Sequence, residues 1–281
     1  MSGARAWRRR FWHGLLTVAG ARPRGYFIPH RFAAASEQPL RYEGVAARLR
    51  AQESEFRTRL SALDGYRDSL LALSNTPPPA PRWQQDWFPR LDGAMAYAMV
   101  RTARPRCIVE VGGGHSTRFF ARAAADEGLP TRIDVIDPAP RASLADLVNV
   151  TVLESLVQAA GRAPFAALAP GDVLSIDSSH VLMPGSDVDF LLNAVLPALP
   201  PGVWVHFHDI FLPDPYPESW TWRGYNEQSA VALLIAQAGW TPVFASHYVL
   251  TRLPDAVQRG VVADLPLVDG AHESSLWLMT R

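Results

Sequence analysis

The sequence predicts an α/β protein built on a largely parallel, doubly wound sheet. Three observations carry that prediction. From residue 107 onward, apolar runs of strand type alternate with helical patterns. A glycine-rich turn in "VEVGGGHSTRF" (Val109 to Phe119) joins the first run to the helix after it. Three aspartates, Asp137, Asp177 and Asp209, end later runs, and sheets of this class bind ligands outside the carboxyl ends of their strands.

The elements follow in order. "RRRFWHGLLTVAGA" (residues 8–21) reads as a basic amphipathic helix capping the domain. Its paired arginines, short apolar run and small-x-small end also resemble an export signal, although His13 and Gly14 interrupt the run. Arg8, Arg9, Arg10, Phe11 and Trp12 could touch a membrane surface. From Arg41 to Leu73, Val45, Leu49, Phe56, Leu60, Leu63 and Leu70 recur at helical spacing among Arg and Glu. "SNTPPPAP" (Ser74 to Pro81) ends that helix, because a proline run cannot continue it. Residues 1–81 are therefore expected to form a helical lid, and residues 82–281 the main domain.

In the main domain a helix spans Gly93 to Arg101. Strands are predicted at Cys107–Gly112, Arg132–Pro138, Asn149–Ser155, Gly171–His180, Gly202–Phe211, Thr241–Thr251 and Ser274–Arg281. A helix from Ser116 closes at Gly128, and a capping box of Ser186 and Asp189 opens a helix through Leu196. Asn226 to Gly239 reads as an amphipathic helix.

Composition narrows the function. A formal net charge of zero over 281 residues makes no case for nucleic acid, and suits a small-molecule enzyme. All 27 basic residues are arginine, which excludes a lysine Schiff base and a lysine-bearing phosphate loop. The single Cys107 forms no internal disulfide and fits a cytoplasmic setting as a small buried hydrophobe. No apolar run approaches the ~20 residues of a membrane span. Assembly into a homo-oligomer stays open.

The glycine turn is not a dinucleotide fingerprint, because Thr117 stands where the third glycine of G-x-G-x-x-G would be. Glu110 beside it would repel a pyrophosphate and suits an amine-bearing ligand. Asp137 fits the acidic residue that grips ribose hydroxyls.

With "EVGGGHS" and Asp137 in view, the chain resembles the class I S-adenosylmethionine-dependent methyltransferases, in particular a bacterial subgroup of unassigned substrate. The resemblance implies a Rossmann-like sheet of order 3-2-1-4-5-7-6 with the last strand antiparallel, and S-adenosylmethionine as cofactor. It further implies that Gly112, Gly113, Gly114 and Ser116 line the methionine end, with Glu110 acting on its amino group. Asp137 would hold the ribose, Glu154 would lie near adenine, and Asp177 would face the sulfonium.

Catechol-type relatives hold magnesium with aspartates at the ends of the fourth and fifth strands and place a lysine base three residues after the first. Here those aspartates are Asp177 and Asp209, and the base position is His180. Imidazole can accept a hydroxyl proton near neutral pH. The third ligand of such sites is replaced by Ile210, so a Mg or Mn ion would need His208 beside Asp177 and Asp209. The expectation is methylation of a small-molecule or sugar hydroxyl with His180 as base, assisted by Asp177 and His208. His206 and His208 share one strand face and would serve equally well as buried core histidines. Trp83, Trp87, Phe88, Tyr216, Trp220, Trp222 and Tyr225 could line an aromatic pocket. The rivals are a nicotinamide oxidoreductase, a metal-dependent cephalosporin-hydroxylase-like enzyme suggested by "DSSH", and a non-catalytic binding protein on the same fold.

Overall fold

The computed structural model describes residues 3–19, 41–73, 77–140, 143–144 and 146–281. The start of the proline run (Ser74 to Thr76) and the end of the export-like segment (Gly20, Ala21) lie outside these residues.

Before the sheet come α1 (Gly3–Val18), α2 (Glu43–Arg50), α3 (Glu53–Ala62), α4 (Arg67–Ala72) and α5 (Arg90–Ala103). The segment from Arg41 to Leu73 is thus broken rather than one helix. It turns at Ala51–Gln52 and tightens to a 3-10 turn at Leu63–Tyr66, where "LDGY" places a glycine. Its predicted apolar positions are all buried, in one cluster with the sheet. Phe56 meets Phe244 and Tyr248 edge-on at 5.8 and 6.0 Å.

The alternating region forms β1 (Cys107–Val111), α6 (His115–Asp126), β2 (Arg132–Ile136), β3 (Val150–Leu153), α7 (Val157–Ala160), β4 (Val173–Ile176), α8 (Asp187–Phe190), β5 (Trp204–Phe207), α9 (Glu227–Ala236), β6 (Thr241–Ala245), α10 (Ser246–Arg252), α11 (Pro254–Val257) and β7 (Leu276–Met279). The seven strands lie in the order β3-β2-β1-β4-β5-β7-β6, with β7 antiparallel to both neighbours. β1 is buried along its whole length at the centre of the sheet, which is why its run is uninterruptedly apolar apart from Glu110. Edge strand β3 half-buries alternate residues, Val150 and Val152, and exposes the others. α5 packs against α6 so closely that a Cβ on Gly93 would sit 2.6 Å from the Phe119 ring.

Four predicted elements of the main domain differ. The strand expected over Thr241–Thr251 stops at Ala245, and Ser246–Arg252 is helix. Buried Tyr248 and Val249 serve a helix face as well as a strand face, so the apolar content alone was ambiguous. Ser186 Oγ accepts from the Asp189 N–H at 3.1 Å, but Asp189 reaches back to Gly185 rather than Ser186. That helix is α for one turn, then continues as π over Leu191–Val195 and 3-10 over Leu196–Ala198. β4 and β5 end at Ile176 and Phe207, so Asp177–His180 and His208–Phe211 lie on the loops beyond. Among the described residues no helix is long and apolar enough to cross a membrane.

Candidate active site

The glycine turn sits where β1 hands over to α6, wedged between β2 and β4. Gly112 has φ +86°, and a Cβ there would lie 1.8 Å from the Asp177 carbonyl oxygen, so only glycine fits. A Cβ on Gly113 would meet Val135 at 2.4 Å, whereas one on Gly114 would meet nothing within 4 Å. The protein itself leaves space at Gly114, and that space faces the helix N-terminus, a natural place for a ligand.

Two residues expected at the cofactor, Glu110 and Ser116, make hydrogen bonds inside the protein. Glu110 is fully buried and accepts hydrogen bonds from the Ser116 and Thr117 hydroxyls. Burial raises its pKa to about 8 against those hydrogen bonds. Glu110 therefore braces the first turn of α6, and Ser116, itself buried, is bonded to it. Asp137 is placed as expected at the end of β2. Its Oδ2 accepts from Gly113 N–H at 2.8 Å and its Oδ1 from Ala139 N–H at 2.7 Å, while the carboxylate stays partly exposed. Glu154 is exposed just beyond β3. His115, the first residue of α6, was passed over in the sequence. Its Nδ1 is buried with no hydrogen-bond partner among the described residues, and burial beside Arg118 and Arg82 lowers its pKa to about 4.

The second half of the site lies at the ends of β4 and β5. His180 (φ +60°) and Asp209 (φ +56°) both adopt left-handed backbone. Beyond the strand end the alternation of faces no longer holds, so His208 and Asp209 both reach the cluster. His180 Nε2 lies 3.2 Å from Asp177 and 3.6 Å from Asp209, and its Nδ1 is 2.9 Å from Glu227. His208 Nδ1 lies 3.7 Å from Asp177 and 3.5 Å from Asp209, and its Nε2 is 3.3 Å from Asp92. Four carboxylates thus surround two imidazoles. One ligand atom each from Asp177, His180 and Asp209 lie within 4.8 Å of one another.

The electrostatics follow from burial and charge together. Burial alone would lower both imidazoles, but the surrounding carboxylates raise His180 and His208 well above the ordinary histidine value. Burial would raise Asp177, yet the two rings hold it well below the usual carboxylate range. Glu227 is raised by burial, so it and His180 share a proton as a coupled pair, which we place on the ring. As a general base, His180 would have to work against this field. A base needs a neutral imidazole with a free lone pair at working pH, whereas the surrounding carboxylates favour the protonated ring, which at 3% exposure is enclosed. The set that converges most closely is Asp177, His180 and Asp209; His208, expected as the third ligand, borders it through Nδ1 while its Nε2 lies on Asp92.

Asp92 and Glu227 were missed in the sequence. Each is an acidic residue in the first turn of a helix (α5 and α9), where it reads as an ordinary partner of the helix dipole. His206 is core, bonded to Ser175 and Ser275 at 2.9 Å each, with burial lowering its pKa to about 3. Trp83 and Phe88 are core as well. Tyr216, Trp220 and Tyr225 gather edge-on around one another and Phe211, and the Tyr225 ring lies 4.6 Å from that of His180. Trp87 and Trp222 are half exposed.

Comparison with known proteins meets this site. The family described as "Methyltransferase domain" matches residues 109–210, which carry the glycine turn, Asp137, Asp177, His180 and Asp209. No curated protein matches the chain. Among solved structures, the O-methyltransferase from Bacillus cereus in complex with SAH is 18% identical over 66% of this chain and 90% of that one (TM-score 0.39). The SAH-bound Podospora anserina methyltransferase PaMTH1 is 16% identical over 92% and 99% (TM-score 0.41). The O-methyltransferase TomG from Streptomyces achromogenes, in complex with SAM, is 19% identical over 66% and 89% (TM-score 0.38). Residues 109–210 are thus similar to a methyltransferase domain, and they lie in a Rossmann-like sheet of order β3-β2-β1-β4-β5-β7-β6 with the glycine turn at the end of β1.

Proposed function

We propose that the protein transfers a methyl group from S-adenosylmethionine to a hydroxyl of a small molecule, with a divalent cation such as Mg²⁺ or Mn²⁺ held by Asp177, His180 and Asp209. The observation that carries the reading is the convergence of those three groups beside the glycine turn, with the Asp177 carbonyl packed directly on Gly112. Two carboxylates and an imidazole suit a hard to borderline divalent ion. Glu227 on His180 Nδ1 is the outer carboxylate that fixes a ligating ring with Nε2 directed inward.

S-adenosylmethionine supplies a methyl group on a positively charged sulfur. A divalent ion at this site would lower the pKa of the acceptor hydroxyl. The residues do the rest by placement. Asp137 would take the ribose hydroxyls, and the room at Gly114 would admit the methionine end. Tyr225, Trp220 and Tyr216 would wall the acceptor beside His180, giving alignment of oxygen, methyl carbon and sulfur.

Calorimetry tests both halves separately. S-adenosylhomocysteine should bind in the micromolar range or tighter, about −7 to −9 kcal/mol, and Asp137→Ala should weaken it by about 1–3 kcal/mol. Mn²⁺ should bind the wild type but not Asp209→Asn, and chelator should abolish turnover. Failure of S-adenosylhomocysteine to bind would remove the methyltransferase reading. A chelator-insensitive enzyme that binds no Mn²⁺ would remove the metal and return the proton transfer to the histidines.

A further inference from the structure

We propose that α1 is an interfacial anchor that docks the protein on an anionic lipid surface. The helix covers 16 residues, about 24 Å. At 100° per residue, Trp7, Phe11, Leu15 and Val18 (spacing i, i+4, i+8, i+11) form one stripe. In a folded domain such a stripe faces the core. Here it faces solvent, with Trp7 66%, Phe11 53%, Leu15 47% and Val18 60% exposed. Trp7 and Phe11 stack on each other at 5.6 Å, and Trp12, beside the stripe, is 57% exposed. The half-buried residues of the helix, His13, Leu16 and Thr17, lie off that stripe.

Charge names the occupant. Residues 3–18 contain no acid. On the same wheel Arg8 and Arg10 border the stripe on its two sides, Arg9 lies opposite, and all three are exposed. A stripe edged by arginines, with tryptophans at its margin, matches a bilayer interface, where the apolar face enters the acyl boundary and the guanidinium groups meet anionic headgroups. The helix lies in the interface and does not cross it, since it is too short and too charged to span. A protein partner would answer the stripe with apolar surface alone and would leave the paired basic borders without a role. The chain's formal net charge of zero supplies no global attraction, so an acid-free basic helix would orient the docking.

Co-sedimentation of the full chain with vesicles tests the assignment. Partitioning should be at least roughly tenfold higher onto 3:1 phosphatidylcholine–phosphatidylglycerol than onto phosphatidylcholine alone, and should collapse in 0.5 M salt. The triple change Arg8→Glu, Arg9→Glu, Arg10→Glu should erase the preference for anionic vesicles. The pair Trp7→Ser, Phe11→Ser should lower binding to them by roughly tenfold or more. Both variants should keep the wild-type melting temperature and cofactor affinity, because the stripe lies outside the core. Equal partitioning onto both vesicles, or onto neither, would overturn the proposal. So would a concentration-dependent dimer that Trp7→Ser, Phe11→Ser dissolves in a protein that ignores vesicles, because the stripe would then belong to a second copy of the chain.

Discussion

Glu110 shows how far a residue's type can mislead about its task. Its position before the glycines suggested a ligand contact, yet both oxygens are used inside the fold. Burial raises its pKa from 4.5 to about 8, so the native state holds the proton more tightly than the unfolded chain. Its contribution to stability is full below pH 4.5 and is lost as the pH rises through 8, on the order of a few kcal/mol. Thermal melts across pH 5 to 9 should therefore fall more steeply for the wild type than for Glu110→Gln. Parallel curves would mean that Glu110 is ionised throughout and that the two hydroxyls outweigh burial.

At the scale of an element, the β1–α6 turn separates two jobs that its glycines share in the sequence. Gly112→Ala places a methyl against the backbone of the β4 end at a positive φ, and should cost more than about 3 kcal/mol or prevent folding. Gly114→Ala meets no protein atom, and its φ of 176° is ordinary extended backbone. Its melting temperature should be near wild type while affinity for S-adenosylhomocysteine falls by roughly tenfold or more, because the methyl occupies ligand space. A Gly114→Ala protein that binds normally would put the cofactor elsewhere along the sheet edge.

For the whole molecule, the question is what residues 41–73 are for. Leu49, Phe56, Leu63 and Leu70 are completely buried, α3 packs on β6 and α2 on α9, and Trp83 Nε1 donates to the Leu70 carbonyl at 3.1 Å. Burying a side chain of this size is worth about 1.5–3 kcal/mol, so these four alone match the ~5–15 kcal/mol net stability of a typical domain. Deleting residues 1–76 should therefore give an insoluble or unfolded protein by circular dichroism, whereas deleting residues 1–19 should leave the melt and cofactor binding unchanged. A soluble, folded chain lacking residues 1–76 that binds cofactor without turnover would make the segment a lid after all.

The sheet and the strand-end positions of the candidate site residues were legible from local signals. Strand-type runs alternating with helices, a glycine turn after the first run and aspartates at strand ends are local signals, because period, backbone freedom and strand length are local properties. Asp137, Asp177, His180 and Asp209 were legible for the same reason, each standing just past a strand end where ligands gather. What surrounds those groups is visible only in the tertiary structure. The hydroxyl on Glu110 comes from Ser116, and the carboxylates on His180 come from Asp177, Asp209 and Glu227, the last of these 47 residues away along the chain. Asp92 reached His208 across 116 residues of sequence. No periodicity reports such a meeting, since it is set by how helices and strands pack, and packing fixes the field that each titrating group feels.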